Sequence, residues 1–356
     1  MCSPSTSNVR FITFINTSYI EAENLDNLFG ILLRVEVAVL VFSWIEFLYT
    51  FYLLIFVRAM HFNLTFLFIN YGGQYFGSML SRCIIIYIQL YPDKNLEYII
   101  PLANYVRTLC LFIAMYILPI FMVERCLASF FVKNYEKSRK VWVSLMILSI
   151  FHPLVFASAI AYIQCKSRKF NSHNLLFSSG WLLVPFHVAS FFIVNIIGYI
   201  GVEICFLYNS RRYKKFSLVG LTKFNYGLSE RFQLAENIKM CKVLKKVQIA
   251  ILFFNIGCSS ILLMDYFQVD IMIKYSSYVA FNFLALVYGI TIPIIVHFLL
   301  PEWQKETRRL IHSCLCCCSR HAVQEAPKTT FGEKMIYKDH SQEANIYFNQ
   351  FNKVTL

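Results

Sequence analysis

The sequence predicts an all-α membrane protein: a seven-transmembrane helix bundle with its N-terminus outside and its C-terminus in the cytoplasm. Three observations lead there. Apolar residues fill 58% of the 356 positions and charged residues 15%, where a soluble domain carries about a quarter charged residues. Seven apolar runs are each long enough to cross a bilayer. Basic residues are divided very unequally between the loops that those runs define.

A crossing helix needs about 20 mostly apolar residues. The runs fall at about 28–57, 64–90, 99–124, 141–164, 180–208, 248–267 and 275–300. Arg82 interrupts the second and Arg107 the third. Gly72, Gly73, Pro119, Pro153, Pro185 and Pro293 lie inside the runs and would weaken soluble helices. In a bundle, neighbouring helices can satisfy the backbone groups that such residues release. The remaining chain divides into an extracellular segment (1–27), an amphipathic membrane-surface helix (301–312) and a cytoplasmic tail (313–356). Residues 1–27 show no basic start followed by a long apolar core, so the first span is expected to act as its own insertion signal.

An odd number of spans puts the two ends on opposite sides. Loops 58–63, 125–140 and 209–247 and the tail 301–356 hold 24 Lys and Arg residues, and the opposite side holds 6. Cytoplasmic loops are the basic ones, which sets the orientation. Asn16-Thr17-Ser18 is then a glycosylation acceptor on the outer side, while Asn63-Leu64-Thr65 would be cytoplasmic and unused. Trp142, Trp181 and Trp303 fall at expected helix ends, where indole rings favour the headgroup layer. The net charge of +13 reflects this sidedness. The basic residues lie between apolar runs and form no patch for nucleic acid. No internal repeat is visible, which disfavours an inverted-repeat transporter.

The twelve cysteines do not read as a secreted disulfide framework, since most sit in apolar runs or a terminal cluster. Pro301 can start a short helix in which Trp303, Thr307, Leu310 and Ile311 form one stripe, ringed by Lys305, Arg308, Arg309 and His312. Cys314, Cys316, Cys317 and Cys318 follow it. They lack the paired Cys-x-x-Cys or His spacing of a metal site, and juxtamembrane cysteines suit acylation; unmodified thiols are the other reading. The eight histidines form no metal box, and no phosphate loop or nucleophile elbow appears. The sequence therefore implies no catalytic residue, metal or cofactor.

Glu124-Arg125 closes the third span on its cytoplasmic side. Rhodopsin-like receptors hold, at this place, an arginine that later meets a G protein. That role needs a permanently charged, multi-donor cation with a local, releasable partner. An ordinary boundary pair, with Arg snorkelling to the headgroups, is the other reading. From Leu228 to Val247, apolar residues at Leu228, Phe232, Ala235, Ile238, Cys241 and Leu244 recur at intervals of three and four, one helical face. Lys239, Lys242, Lys245 and Lys246 make the rest polar. The sixth span should therefore extend into the cytoplasm, either as a docking surface or as a basic flank near anionic lipid.

Ionisable groups within spans are expensive and are either functional or paired. At about 1.5 Å rise per residue, Glu36, Arg82, Arg107 and Asp265 all reach a similar depth in the outer part of the membrane. Pairs of Glu36 with Arg82 and Asp265 with Arg107 are one expectation. The other is that Arg107 faces a central cavity and binds an acidic ligand group, with Asn104 one turn outward, Arg82 and Asp265 as further pocket residues. Lys166, Arg168 and Lys169 in an outer loop would also favour anions. Glu46 and Glu203 lie deeper and read as structural.

The chain resembles the nematode serpentine receptors, most closely the class epsilon chemoreceptors. The resemblance rests on Glu124-Arg125-Cys126-Leu127-Ala128 with Tyr135-Glu136, on Leu228-Ser229-Glu230-Arg231-Phe232-Gln233-Leu234-Ala235-Glu236-Asn237, and on Pro293 followed by Pro301-Glu302-Trp303. Arg231-Phe232-Gln233 with Glu236-Asn237 is the most specific part, and coverage runs over about residues 28–312. It implies a G-protein-coupled chemosensory receptor in the cell membrane of sensory neurons, placed in their cilia, whose partners are a heterotrimeric G protein and a small chemical ligand. Glu124, Arg125, Arg231, Phe232, Lys242 and Lys245 would then form the coupling face. Departures from the wider rhodopsin-like pattern are plain. Positions 99–101 are Ile, Ile and Pro, so Cys165 lacks the usual disulfide partner at the top of the third span. The sixth span offers Arg125 no acidic partner, and the seventh lacks Asn-Pro-x-x-Tyr. A transporter or ligand-gated channel, using Glu36, Arg82, Arg107 and Asp265 as a path, remains the competing class.

Overall fold

The computed structural model describes residues 20, 24–91, 95–96, 98–132, 142–167, 179–219, 228–264 and 270–315. Within these, the side chains at 161–167, 179–184, 216–219, 228–231, 262, 271, 274 and 314–315 fall outside the description. Nine bounded helices lie among the described residues: α1 (Asp26–Phe56), α2 (Phe62–Leu90), α3 (Ile99–Met115), α4 (Ile117–Phe130), α5 (Trp142–Ser167), α6 (Ser179–Val219), α7 (Leu228–Met264), α8 (Ile271–Leu299) and α9 (Pro301–Leu315). Strands are absent among the described residues. The compact body ends at Thr307; Arg308 opens a second unit, whose described part is the last two turns of α9.

Five helices (α1, α5, α6, α7 and α8) are long and apolar enough to cross a membrane, and the bent pair α3–α4 makes a sixth. Helix α2 has 29 residues, ample for a crossing. Its apolar content is diluted by Asn63, Ser78, Ser81, Arg82 and Gln89, all buried against neighbouring helices. Meanwhile Val41, Phe42, Ile45 and Leu48 of α1, and Ile193, Ile197, Ile200 and Ile204 of α6, point outward. Water would penalise that arrangement, and lipid favours it.

The third expected span is not one straight helix. It breaks at Tyr116 and bends by 44°. Pro119 explains the break, because it has no N–H for the carbonyl four residues back and its ring crowds that carbonyl. That carbonyl is Met115, and it is not left bare. Asn195 Nδ2 of α6 donates to it at 3.2 Å and Asn255 Nδ2 of α7 at 3.3 Å. Asn255 also donates to Asn195 Oδ1 at 3.1 Å. One polar knot thus ties three helices at the bend. With α2 and α5 packed on its other sides, the α3–α4 rod occupies the centre of the bundle.

Helices α6 and α7 run past the expected ends of their spans, to Val219 and back to Leu228. The extension of the sixth span is helical as expected, but its inward face is shifted. Gln233, Leu234, Asn237, Ile238, Cys241 and Leu244 are buried, whereas Phe232 is 62% exposed. Trp303 also departs from expectation: it is 1% exposed, 6.4 Å between ring centroids from His297. The short turn at Leu300 brings the start of α9 back against the core, so the Trp303 indole is buried there instead of reaching the headgroups. Thr307 meets the Tyr49 hydroxyl and lies 3.3 Å from His297 Nε2, and Tyr52 donates to Glu306 at 3.1 Å.

Gly289 of α8 leaves room for the Tyr75 side chain of α2. A Cβ there would stand 1.8 Å from Tyr75 Cζ, and Tyr75 is itself held by a 3.2 Å bond to the Leu286 carbonyl. Gly289→Ala should cost about 1–3 kcal/mol by overpacking, read as a lower melting temperature of the purified protein in detergent. Gly30→Ala is the matched control, since its Cβ would meet nothing within 4 Å. There the helix should gain about 0.5–1 kcal/mol.

Candidate functional site

Chemistry-bearing side chains gather at two levels, one at each end of the α3–α4 rod. At the Arg125 end, the guanidinium and the Glu124 carboxylate make two parallel bonds, Nε to Oε2 and Nη2 to Oε1. Both side chains are buried, at 1% and 0% exposure. Adjacent residues on a helix ordinarily diverge, so this pairing turns both inward. Arg125 Nη1 also donates to Asn237 Oδ1 of α7 at 3.2 Å, and Asn237 Nδ2 donates to the Ala128 carbonyl at 3.1 Å. The amide therefore grips α4 twice, once by side chain and once by backbone. Ser129 and Asn209 extend the network to α6 at 2.7 Å.

Of the other expected coupling residues, Lys245 pairs with Glu203 of α6 at 2.7 Å and stands 5.6 Å over the Phe206 ring. Both partners are about a third exposed, and such pairs contribute little stability. Lys242 lies half-buried beside it, Phe232 is exposed, and the Arg231 side chain lies outside the described residues. Lys239 pairs with Glu302, which fastens α9 to α7.

At the Arg107 end, the expected Glu36–Arg82 pair is present as two parallel bonds of 2.6 Å, buried at 3% and 2% exposure. Arg107 is also 2% exposed, but its partners are neutral. Nη2 donates to Asn282 Oδ1 at 2.8 Å and Nη1 reaches the Ser78 carbonyl at 3.5 Å, while Nε has no acceptor among the described residues. Asn104 is buried and donates to the Ile100 carbonyl of its own helix at 3.0 Å. Asp265, the expected counter-ion, lies outside the described residues, as do Asn16, Cys316, Cys317, Cys318 and the Cys314 side chain. No cluster of three metal-ligating side chains exists among the described residues.

Sequence reading missed Asn237 as a partner of Arg125, Asn282 as a partner of Arg107, and the Asn195–Asn255 knot. Asn237 had a visible signal: it shares the three-and-four spacing of the apolar positions on its helix. The stripe drawn from apolar residues alone could not include an amide.

Between α1, α2, α8 and α9 lies a cavity of about 40 Å³, lined by Glu46, Tyr71, Tyr75, Gly289 and Trp303 among others. It has room for water and is far smaller than an ordinary ligand pocket of roughly 300–1,000 Å³. Glu46 accepts from Thr50 at 2.9 Å, and its second carboxylate oxygen is buried with no partner among the described residues.

Comparison with known proteins fits this architecture. The family model described as Sre G protein-coupled chemoreceptor matches residues 2–355. The Caenorhabditis elegans protein named serpentine receptor class epsilon-8 is 70% identical over the full length of both chains. Serpentine receptor class epsilon-13 of the same organism is 26% identical, over 58% of this chain and 53% of its own. Serpentine receptor class epsilon-12 is 23% identical, over 88% and 89%. With its crossing helices, buried intramembrane ion pairs and full-length match, the chain is a multi-pass membrane protein that belongs to the Sre family of G protein-coupled chemoreceptors.

Proposed function

We propose that this protein binds a small external chemical between its helices and, in response, activates a heterotrimeric G protein through the Arg125 end of the bundle. The observation that carries the proposal is the state of Arg125. It is a fully buried, permanent cation that meets its neighbour Glu124 and the Asn237 amide of α7. Such a group is costly to bury, and part of its hold comes from another helix, so a rearrangement of α7 changes how Arg125 is restrained. In this reading residues 1–27 face outward and Asn16 is glycosylated. The Arg125 end, the exposed Phe232 and the basic surface of Arg231, Lys242 and Lys245 face the cytoplasm. The cysteines at 314 and 316–318 are acylated there. The sensory cilium of a chemosensory neuron is where such a receptor would meet its ligand.

A ligand can shift the bundle only by binding one arrangement more tightly than the other, and the G protein must tighten ligand binding by the same factor. Arg107 is the proposed ligand contact. Its Nε, without an acceptor among the described residues, and its uncharged hydrogen-bond partners there leave the guanidinium able to take an anionic group, with Asn104, Arg82 and, by its place in the sequence, Asp265 as further pocket residues.

The test compares wild type, Arg125→Ala and Arg107→Ala at matched surface levels in a heterologous cell. G-protein activation is read with and without a panel of volatile and water-soluble chemicals. Arg125→Ala should lower G-protein activation at least tenfold. Arg107→Ala should selectively lose responses to acidic compounds, and normal responses to all of them would remove Arg107 from the pocket. Current or solute flux in wild type that persists with G proteins blocked would favour the channel or transporter reading instead.

A further inference from the structure

Helices α4 and α6 approach unusually closely along one seam. On α6, Gly198, Gly201, Cys205 and Asn209 recur at helical spacing. They face Leu118, Met122, Cys126 and Ser129 of α4. A Cβ on Gly198 would lie 3.3 Å from both the Leu118 carbonyl carbon and the Pro119 nitrogen. One on Gly201 would lie 2.2 Å from Met122 Sδ. The two glycines thus bring the helix backbones together, and the Asn209–Ser129 bond at 2.7 Å holds the far end of the seam. Between these anchors sit two free thiols, Cys126 Sγ and Cys205 Sγ, 3.2 Å apart.

We propose that Cys126 and Cys205 form a modification site, which hydrogen peroxide converts into a disulfide that fixes α4 to α6 one residue from Arg125. The contact lies about 1.2 Å beyond a sulfur–sulfur bond of about 2.05 Å. Peroxide first oxidises one thiol to a sulfenic acid and leaves as water. The second thiol then attacks that sulfur and expels the hydroxyl, which departs with the thiol proton as a second water. The two sulfurs together lose two electrons and two protons, and the peroxide is reduced to two waters. Cys126 is half-buried, so the oxidant can reach it, while Cys205 is 5% exposed and so shielded from competing thiols. In the orientation proposed above, this end meets the cytoplasm, whose thiol pools keep such pairs reduced. The bridge is therefore a response to oxidant that small thiols reverse by exchange.

The experiment uses the full-length protein in membranes. After a peroxide pulse, free thiols are capped with N-ethylmaleimide, and the protein is digested and mapped by mass spectrometry. The expected product is a Cys126–Cys205 linked peptide pair, two hydrogens lighter than the separate peptides. It should vanish after dithiothreitol and be missing from Cys205→Ser. Wild-type mapping decides the matter even if that variant fails to fold. Recovery of both residues as maleimide adducts or sulfinic acids would overturn the proposal, and so would linkage of Cys126 to Cys241 instead. Because the mapping needs neither ligand nor G protein, it stands or falls apart from the coupling experiment.

Discussion

Glu36→Leu should destabilise the bundle by about 3–5 kcal/mol, the ordinary penalty for breaking a buried ion pair by removing one partner. Glu36 and Arg82 exchange two bonds of 2.6 Å at 3% and 2% exposure, so neither charge has water to fall back on. The two halves of the pair are not equivalent. A stranded carboxylate can take up a proton and become neutral, whereas a stranded guanidinium keeps its charge. Glu36→Leu should therefore be worse than Arg82→Met, and Glu36→Leu/Arg82→Met should recover most of the loss because it leaves no charge behind. Thermal unfolding of the purified protein in detergent measures all three. If the double variant proves no more stable than Glu36→Leu, the pair is not what holds α1 to α2 at this level.

Asn237→Leu should raise ligand-independent G-protein activation about tenfold at equal surface expression. The amide accepts from Arg125 at 3.2 Å and donates to the Ala128 carbonyl at 3.1 Å, so it joins α7 to α4 at the level where a G protein would enter. A hydrogen bond to a charged group contributes about 1.5–3 kcal/mol, and each 1.4 kcal/mol is about tenfold in an equilibrium. Leucine fills similar space and offers neither bond, so the arrangement that frees Arg125 gains population. Asn237→Asp keeps an acceptor and adds a charge opposite the guanidinium, and should hold basal activity at or below wild type. A bioluminescence assay of G-protein dissociation without added ligand reads both variants. Unchanged basal signal in Asn237→Leu would show that the amide does not restrain the switch.

The sequence by itself determined the helical class, the helical extension before the sixth span and the family. It could do so because a bilayer imposes one-dimensional demands: about 20 apolar residues per crossing and internal satisfaction of every backbone group. The pairing of Glu36 with Arg82 was legible for the same reason, since depth follows from counting residues along straight helices. What the tertiary structure alone decided was how polar groups meet across helices. Pro119 was visible in the third span, but not the 44° bend or the two asparagines, about 80 and 140 positions away, that take its freed carbonyl. Asn237 lay in the most specific motif, yet its grip on Arg125 depends on the rotation of α7. Trp303 looked like an interface anchor until the turn at Leu300 folded it into the core. Each outcome hangs on azimuth, on which way a helix is turned about its own axis. Lipid constrains azimuth only through the outward apolar face, and packing against neighbours fixes the rest.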